Sequence, residues 1–528
     1  MLDHGVIANV GLGLYTEGLS VVFQPYVLLL IAAGVLVGML VGAMPGLTAN
    51  MGVAVLLPLT FTMEPHEAIA AMAGIWLGAL YGGTIPAVLI NMPGTPGDIM
   101  TSIDGYPLSQ RGEGGLAIGV GVLSSFLGGM ISVIVLATAS PVIAGFARDF
   151  GSYEYFAVTF LGLSVIAYLA GPSLSKGLIS AVLGLLAGTV GRDLLSGQPR
   201  FTFEMSPLLG GLDFIAVIVG IFGLAEVLEQ VYKRKYKDLP RAQMTGRARD
   251  ALSRIPELKG PIGRSAGIGV LLGAVPGAGA TIASVIGYGI QKRLSKKPEQ
   301  MGKGSLEGVA ASDSANNACT GGAMVTMLSL GIPGDGITAM MLGALIIQGV
   351  RPGPRMFEGD LRLVSAIFLS LVVANLALLL FGLFGARHFA HVLRVPRRWL
   401  LPLIAVLSVI GTYALNNQVF DVYVMLLFSV VGFAFARAGI PKPPLVMALI
   451  LGPILEENLR RGLQLRGGDA GAALTTLFTR PVSAILMSIG LLMLLLPLMK
   501  TIVGWYRRRR RHPSGPDDVQ TTSEKPSR

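Results

Sequence analysis

Fifteen apolar runs divide this chain, near residues 22–43, 47–62, 68–92, 114–146, 155–171, 175–191, 210–232, 263–290, 308–331, 336–350, 362–386, 399–414, 418–436, 440–455 and 481–504. A helix that crosses a bilayer needs about 20 apolar residues. Several runs are too short or too interrupted to cross alone, which predicts about ten to twelve full spans plus broken or re-entrant pieces. A transmembrane β-barrel would show segments of about ten residues with alternating hydrophobicity, and none appear. The expected fold class is therefore an all-α polytopic membrane protein. Composition closes the other routes. Only 13% of the 528 residues are charged, against roughly 25% in soluble domains. A soluble multidomain enzyme, a disordered chain and a disulfide scaffold are all excluded.

The net charge is +11, and the excess is concentrated. Residues 233–259 hold nine Lys or Arg, and Arg507 to Arg511 form one run before a Pro/Ser/Asp/Glu tail. Basic loops stay cytoplasmic, so both segments are expected inside, and the tail is read as disordered. The first Lys or Arg is Arg111. A secretory signal needs a basic start, so the N-terminus is read as retained. The single cysteine, Cys319, excludes an internal disulfide and a cysteine metal site. His388 and His391 are read as lying in an Arg-rich loop without a carboxylate partner. No metal is expected. Neither a Walker A pattern nor a G-x-G-x-x-G fingerprint occurs, so no nucleotide is expected, no cofactor is expected, and any energy the chain uses must come from an ion gradient or a partner.

The sequence repeats itself. Gly38 to Gly46 (GMLVGAMPG) returns as Gly269 to Gly277 (GVLLGAVPG), identical at six of nine positions. Glu67 to Ala71 returns at Glu307 to Ala311, shifted by 240, and at that shift Pro93-Gly94 falls on Pro333-Gly334. Leu163 to Ile166 recurs as Leu407 to Ile410. The expected organisation is an N-terminal lead (1–20), a first repeat (20–210), a crossing helix with a basic loop (210–262), a second repeat (262–460), a C-terminal helix region (460–505) and a basic tail (506–528). The loop after the first copy is acidic, with Glu64 and Glu67. Its counterpart carries Lys292, Arg293, Lys296, Lys297 and Lys303. Two copies facing opposite sides are therefore expected. Such repeats put a substrate site near the midplane, where interrupted helices meet.

Proline removes an amide donor and glycine accepts the turn that follows, so Pro-Gly breaks a helix. In lipid the freed backbone groups must line protein or a water cavity. Four breaks are paired by the repeat: Pro45-Gly46 with Pro276-Gly277, and Pro93-Gly94 with Pro333-Gly334. Exposed helix N-termini attract anions, so Asn91, Thr95 and Gly331 join these eight residues as candidate substrate ligands. Asp98, three residues after Thr95, is either a helix cap or a cation ligand, and Asp335 has the same two readings. A charged Asp in the bilayer core costs about 2.5–3.5 kcal/mol, so each placement needs compensation. Asp313 and Asn317 share a helix face at i, i+4. With Asn316 they form a second polar group, read as cation ligands or as interhelical hydrogen-bond glue. Asn416, Asn417 and Asp421 are a weaker group placed at a helix end.

Long stretches resemble the TctA family, the large permease subunits of tripartite tricarboxylate transporters. They are Gly78 to Leu108, Glu307 to Ala318, Leu328 to Pro354 and Ala414 to Arg461, and the resemblance reaches to about residue 505. It departs at Ser312-Asp313, where the family more often has Pro-Glu. The resemblance implies a secondary transporter of the bacterial inner membrane, a small membrane subunit of about four helices, and a periplasmic binding protein. It implies uptake of citrate-like di- or tricarboxylates driven by Na⁺ or H⁺. A dianion or trianion entering against 100 mV faces about 4.6–6.9 kcal/mol at ~2.3 per charge, so cotransported cations must supply the work. A stand-alone carboxylate symporter and the membrane subunit of an ion-pumping enzyme are the competing readings.

Overall fold

The computed structural model describes residues 18–44, 46–169, 173–193, 195–233, 244–392 and 397–495. Pro45, residues 234–243 of the basic stretch 233–259, and the tail lie outside them. The first apolar run is helix α1 (Pro25–Ala43), opened by proline at its first position. It breaks at Gly46, whose φ is +93°. Helix α2 (Ala49–Leu56) restarts with Thr48 Oγ1 accepting from Met51 N at 3.2 Å. Helices α3 (Pro65–Gly82) and α4 (Thr84–Ile90) together form the next span. It ends at Asn91, left-handed at φ 54°.

After this break come α5 (Ile99–Gln110), the long α6 (Gly114–Ala147), α7 (Ser152–Leu169) and α8 (Leu174–Gly188). A two-residue ladder, β1 (Gly191–Arg192) with β2 (Pro199–Arg200), follows. The crossing helix is α9 (Phe214–Ile218), a π-helical stretch from Val219 to Leu224, and α10 (Ala225–Lys233).

The same order then returns. Helix α11 (Ile255–Gly273) breaks at Gly277, φ +82°, before α12 (Gly279–Leu294). Helix α13 (Leu306–Leu330) ends at Gly331, left-handed at φ 71°, before α14 (Gly336–Ile347). After the short α15 (Met356–Gly359) come α16 (Leu361–Val392), α17 (Arg397–Asn416), α18 (Val419–Ala438), α19 (Pro443–Gln464) and α20 (Ala470–Thr479). Among the described residues six helices are long and apolar enough to cross a membrane, and α20 with the helix after it forms a bent seventh candidate. The other apolar runs are divided between shorter helices or interrupted by polar residues, as at α2, α8 and α14. His388 and His391 belong to the end of α16, not to a loop.

Two glycine pairs of the repeated stretch pack alike. An added Cβ at Gly38 would stand 2.2 Å from Ile75 O, and at Gly269 2.4 Å from Ala315 O. At Gly42 it would stand 2.1 Å from Ala79 O, and at Gly273 2.1 Å from Cys319 O. The glycines are 231 apart in sequence, and the carbonyls they meet are 240 apart. Small residues here let helix backbones touch, the usual packing device in membranes. The halves also exchange partners reciprocally. Helix α6 packs on α11 and α13, whereas α16 packs on α1 and α3. Helices α6 and α16 run antiparallel: Gly129 lies beside Asn375, and Val122 beside Gly382.

Candidate functional site

Both breaks after the long spans fold back on the helix they leave. At the first, Gly94 N donates to Gly83 O at 3.2 Å, and an added Cβ at Gly94 would meet Gly42 O at 2.0 Å. At the second, Gly334 packs on Ala323 and on Gly273 O. Pro93 and Pro333 each precede these glycines in the turn. Gly277 N donates to Gly334 O at 2.8 Å, so the Pro276-Gly277 break and the Pro333-Gly334 break touch. Gly46 O accepts from Gln230 Nε2 of the crossing helix at 2.6 Å.

The first tip reaches across to the second copy. An added Cβ on Gly97 would lie 2.4 Å from Asn316 Oδ1 on α13, and Asn316 Nδ2 donates to Asp98 Oδ1 at 3.4 Å. The second tip lies against Ala323 of the same helix. Positions 316 and 323 are seven residues apart, so they share one helix face and are separated by roughly 10 Å along the axis. Helix α13 thus carries both tips side by side. Residue Gly336, just past the second tip, adjoins Asn50 of α2.

Between the tips and α6 lies a buried polar group. Asp98, Asp313, Asn316 and Asn317 are fully buried. Asp313 Oδ2 accepts from Thr84 Oγ1 at 3.2 Å and its Oδ1 from Thr101 Oγ1 at 2.5 Å. Asn317 Nδ2 donates to Ser125 Oγ on α6 at 2.7 Å. The carboxamide oxygens of Asn316 and Asn317 are buried without a hydrogen-bond partner. Buried unpaired acceptors are uncommon and expensive. Asp98 and Asp335 both act as caps. Asp98 Oδ2 accepts from Thr95 N at 2.9 Å, and Asp335 Oδ1 accepts from Thr338 N at 2.8 Å. Among the described residues no group of three or more His, Cys, Asp or Glu side chains is placed to hold a metal ion.

The sequence profile of the tripartite tricarboxylate transporter TctA family matches residues 28–447. The chain belongs to that family. An uncharacterized 52.8 kDa protein in the TAR-I ttuC' 3' region of Agrobacterium vitis is 38% identical over 504 residues, 95% of this chain and 98% of that one. A second uncharacterized protein, in the TAR-II ttuC' 3' region, is 38% identical over 234 residues, 44% of this chain and 95% of its own. No solved structure matches the chain significantly. Family membership and the apolar helices make this a multi-pass membrane protein and a transporter subunit.

The TctA tips and acids were legible as motifs, but their partners were not. Thr84, Thr101, Ser125, Ser284 and Ser312 carry no spacing signal, because five different helices bring them together around Asp313 and Asn317. Asn416 and Asp421 bond to each other at 2.8 Å where α17 meets α18, the helix end expected of them. A separate cavity of ≈ 470 Å³ opens at the end of the molecule formed by β1–β2, α9, α14 and α19. Its rim holds Arg200 bonded to Glu456 at 2.7 and 3.2 Å, and Arg460 bonded to Asp193 at 2.6 Å.

Proposed function

We propose that this chain is the permease subunit of a binding-protein-dependent secondary transporter that takes up citrate-like di- or tricarboxylates by symport with Na⁺ or H⁺. The observation that carries the reading is the pair of broken-helix tips on one face of α13, about 10 Å apart, beside the buried acids Asp98 and Asp313. The caps of Asp98 and Asp335 take Thr95 N and Thr338 N, which leaves the remaining first-turn amides for a carboxylate. Asp313, Asn316, Asn317, Asp98 and Asp335 form the cation side of the same site. Asn91, Pro93, Gly94, Gly331, Pro333 and Gly334, with Gly46, Pro276 and Gly277, shape its backbone. Pro45 belongs to the same proposal.

The two copies are read as oppositely directed, a reading supported by the antiparallel course of α6 and α16. The end bearing Lys292, Arg293, Lys296, Lys297 and Lys303 is read as cytoplasmic, together with the C-terminus, in a bacterial inner membrane. The opposite end, with the ≈ 470 Å³ cavity, then faces the periplasm and a solute-binding protein. A small four-helix membrane subunit completes the assembly. The chain moves its substrate rather than transforming it.

The test is uptake of radiolabelled citrate, succinate and tartrate into cells expressing the chain with its small subunit and binding protein, with Na⁺ and pH gradients imposed separately. Accumulation that requires the chain and collapses with a cation gradient supports the reading. Accumulation of none of them, or accumulation that follows ATP alone, contradicts it.

A further inference from the structure

The hydroxyls beside Asp313 form a chain with one direction. Thr101 Oγ1 donates to Asp313 Oδ1 at 2.5 Å. The same oxygen lies 2.7 Å from Ser312 Oγ, which lies 2.8 Å from Ser284 Oγ. All four residues are fully buried. A hydroxyl has one hydrogen to donate. That of Thr101 goes to Asp313, so Thr101 accepts from Ser312. The hydrogen of Ser312 is then committed, so Ser312 accepts from Ser284. Helices α5, α13 and α12 each supply one member, and the line points at the carboxylate.

The other copy carries apolar residues where these groups stand. At the equivalent positions stand Met341 for Thr101, Met72 for Ser312, Ala73 for Asp313 and Val53 for Ser284. All four are buried apolar residues. The fold therefore does not need hydroxyls at this crossing. An aligned polar chain that a symmetric frame does without has a purpose other than glue.

The open end of the chain faces the basic loop. Ser284 lies one helical turn before Tyr288 on α12, and Tyr288 Oη donates to Asp104 Oδ2 at 2.9 Å. Asp104 Oδ1 accepts from the amides of Gly302, Gly304 and Ser305 at 2.8, 2.9 and 2.8 Å. The titratable groups near Asp313 are Asp98 at the first tip and Tyr81 on α3. Asp104 stands one turn beyond Thr101, toward the loop. Helix α4 presents Thr84 to Asp313, and α6 presents Gly121.

We propose that Ser284, Ser312 and Thr101 relay the proton of Asp313 to the side of residues 295–305, the release step of inward symport. The proposal rests on Asp313 as a coupling-cation residue and specifies the cation there as a proton. Each hydroxyl passes its hydrogen forward and takes one from behind. One proton leaves Asp313 Oδ1, one leaves Ser284 Oγ toward residues 295–305, and the carboxylic acid becomes a carboxylate. The three hydroxyls end as they began, apart from rotation.

Infrared difference spectroscopy on the full chain in lipid nanodiscs tests this without any substrate. A buried carboxylic C=O band should vanish in Asp313→Asn. After transfer to D₂O its isotope shift should develop at least about tenfold more slowly in Ser312→Ala and in Ser284→Ala, a barrier increase of ~1.4 kcal/mol. Ser312→Thr, which keeps the hydroxyl, should restore the rate. No band lost in Asp313→Asn, or unchanged exchange in both alanine variants, overturns the relay. Uptake is read separately, so a failed transport assay and a failed relay are distinguishable.

Discussion

Thr95 Oγ1 donates to Asp98 Oδ2 at 2.6 Å, and 240 residues later the same two positions are occupied in exchanged order, Asp335 followed by Thr338. Thr338 Oγ1 lies 2.8 Å from Asp335 Oδ1, and Asp335 N donates to Thr338 Oγ1 at 2.9 Å. Each tip therefore restarts its helix with a Thr–Asp reciprocal cap, one the reverse of the other. The exchange keeps one acid per tip while placing it at a different depth in the first turn. That asymmetry puts Asp98, and not Asp335, in reach of Asn316.

Swapping the second cap tests this equivalence. Thr338→Asp alone sets two carboxylates in one turn, and Asp335→Thr alone leaves two hydroxyls. Each should weaken the start of α14 by about 1 kcal/mol, seen as roughly fivefold faster deuterium exchange of its first-turn amides. The double variant, which copies the first tip, should recover most of that loss, a coupling expected of residues in direct contact. Equal exchange in singles and double contradicts the reciprocal cap.

Asn317→Ala should lower carboxylate uptake by at least about tenfold, the effect of removing one buried hydrogen bond and leaving its partner unpaired, with membrane insertion unchanged. The side chain bonds only inward, to Ser125 Oγ and the Asp313 carbonyl, and the equivalent residue of the first copy is Leu77. Insertion is checked by immunoblot of membranes, and full uptake by the variant contradicts its role at the site. Asp335→Asn separates cap from ligand. Asparagine caps as well as aspartate, so the fold should hold while loss of charge abolishes uptake.

Gly42→Ala and Gly273→Ala should each destabilise the fold by about 1–3 kcal/mol, the range for overpacking. The added methyl meets a carbonyl oxygen at 2.1 Å in both. Both lie beneath the tips, at Gly94 and Gly334 respectively, so uptake should fall together with the apparent melting temperature in detergent. A variant that melts normally and transports normally contradicts the close packing.

Glu456→Gln should matter little to the fold. It loosens the bidentate bond to Arg200, but both side chains are about a quarter exposed. Exposed pairs are worth about 0–1 kcal/mol and are screened by salt. A melting shift that disappears in high salt is expected, and a large salt-insensitive shift contradicts a surface role for this cluster.

The breaks were legible because proline and glycine act locally. Gly46, Gly277 and Gly331 take positive φ as a break requires, and Asn91 takes the left-handed turn that Gly331 takes in the second copy. The repeat was legible because close helix packing fixes glycine at set positions. Long-range partners were not. Thr101 and Ser312 are 211 residues apart, and in sequence each is one more small polar residue in an apolar run. Nor did the apolar pattern show which runs split. Length and hydropathy describe α13 and α14 as two adjoining runs, while the fold-back that sets Gly334 against Ala323 depends on a contact between them.

The arrangement on α13 is tested most directly by an electron cryo-microscopy map of the transporter assembly with bound citrate. The carboxylates should lie between the 94–98 tip and the 331–335 tip, beside Asn316. Citrate density confined to the cavity rimmed by Arg200 and Arg460, or tips parted by an intervening lipid-facing helix, would contradict the account.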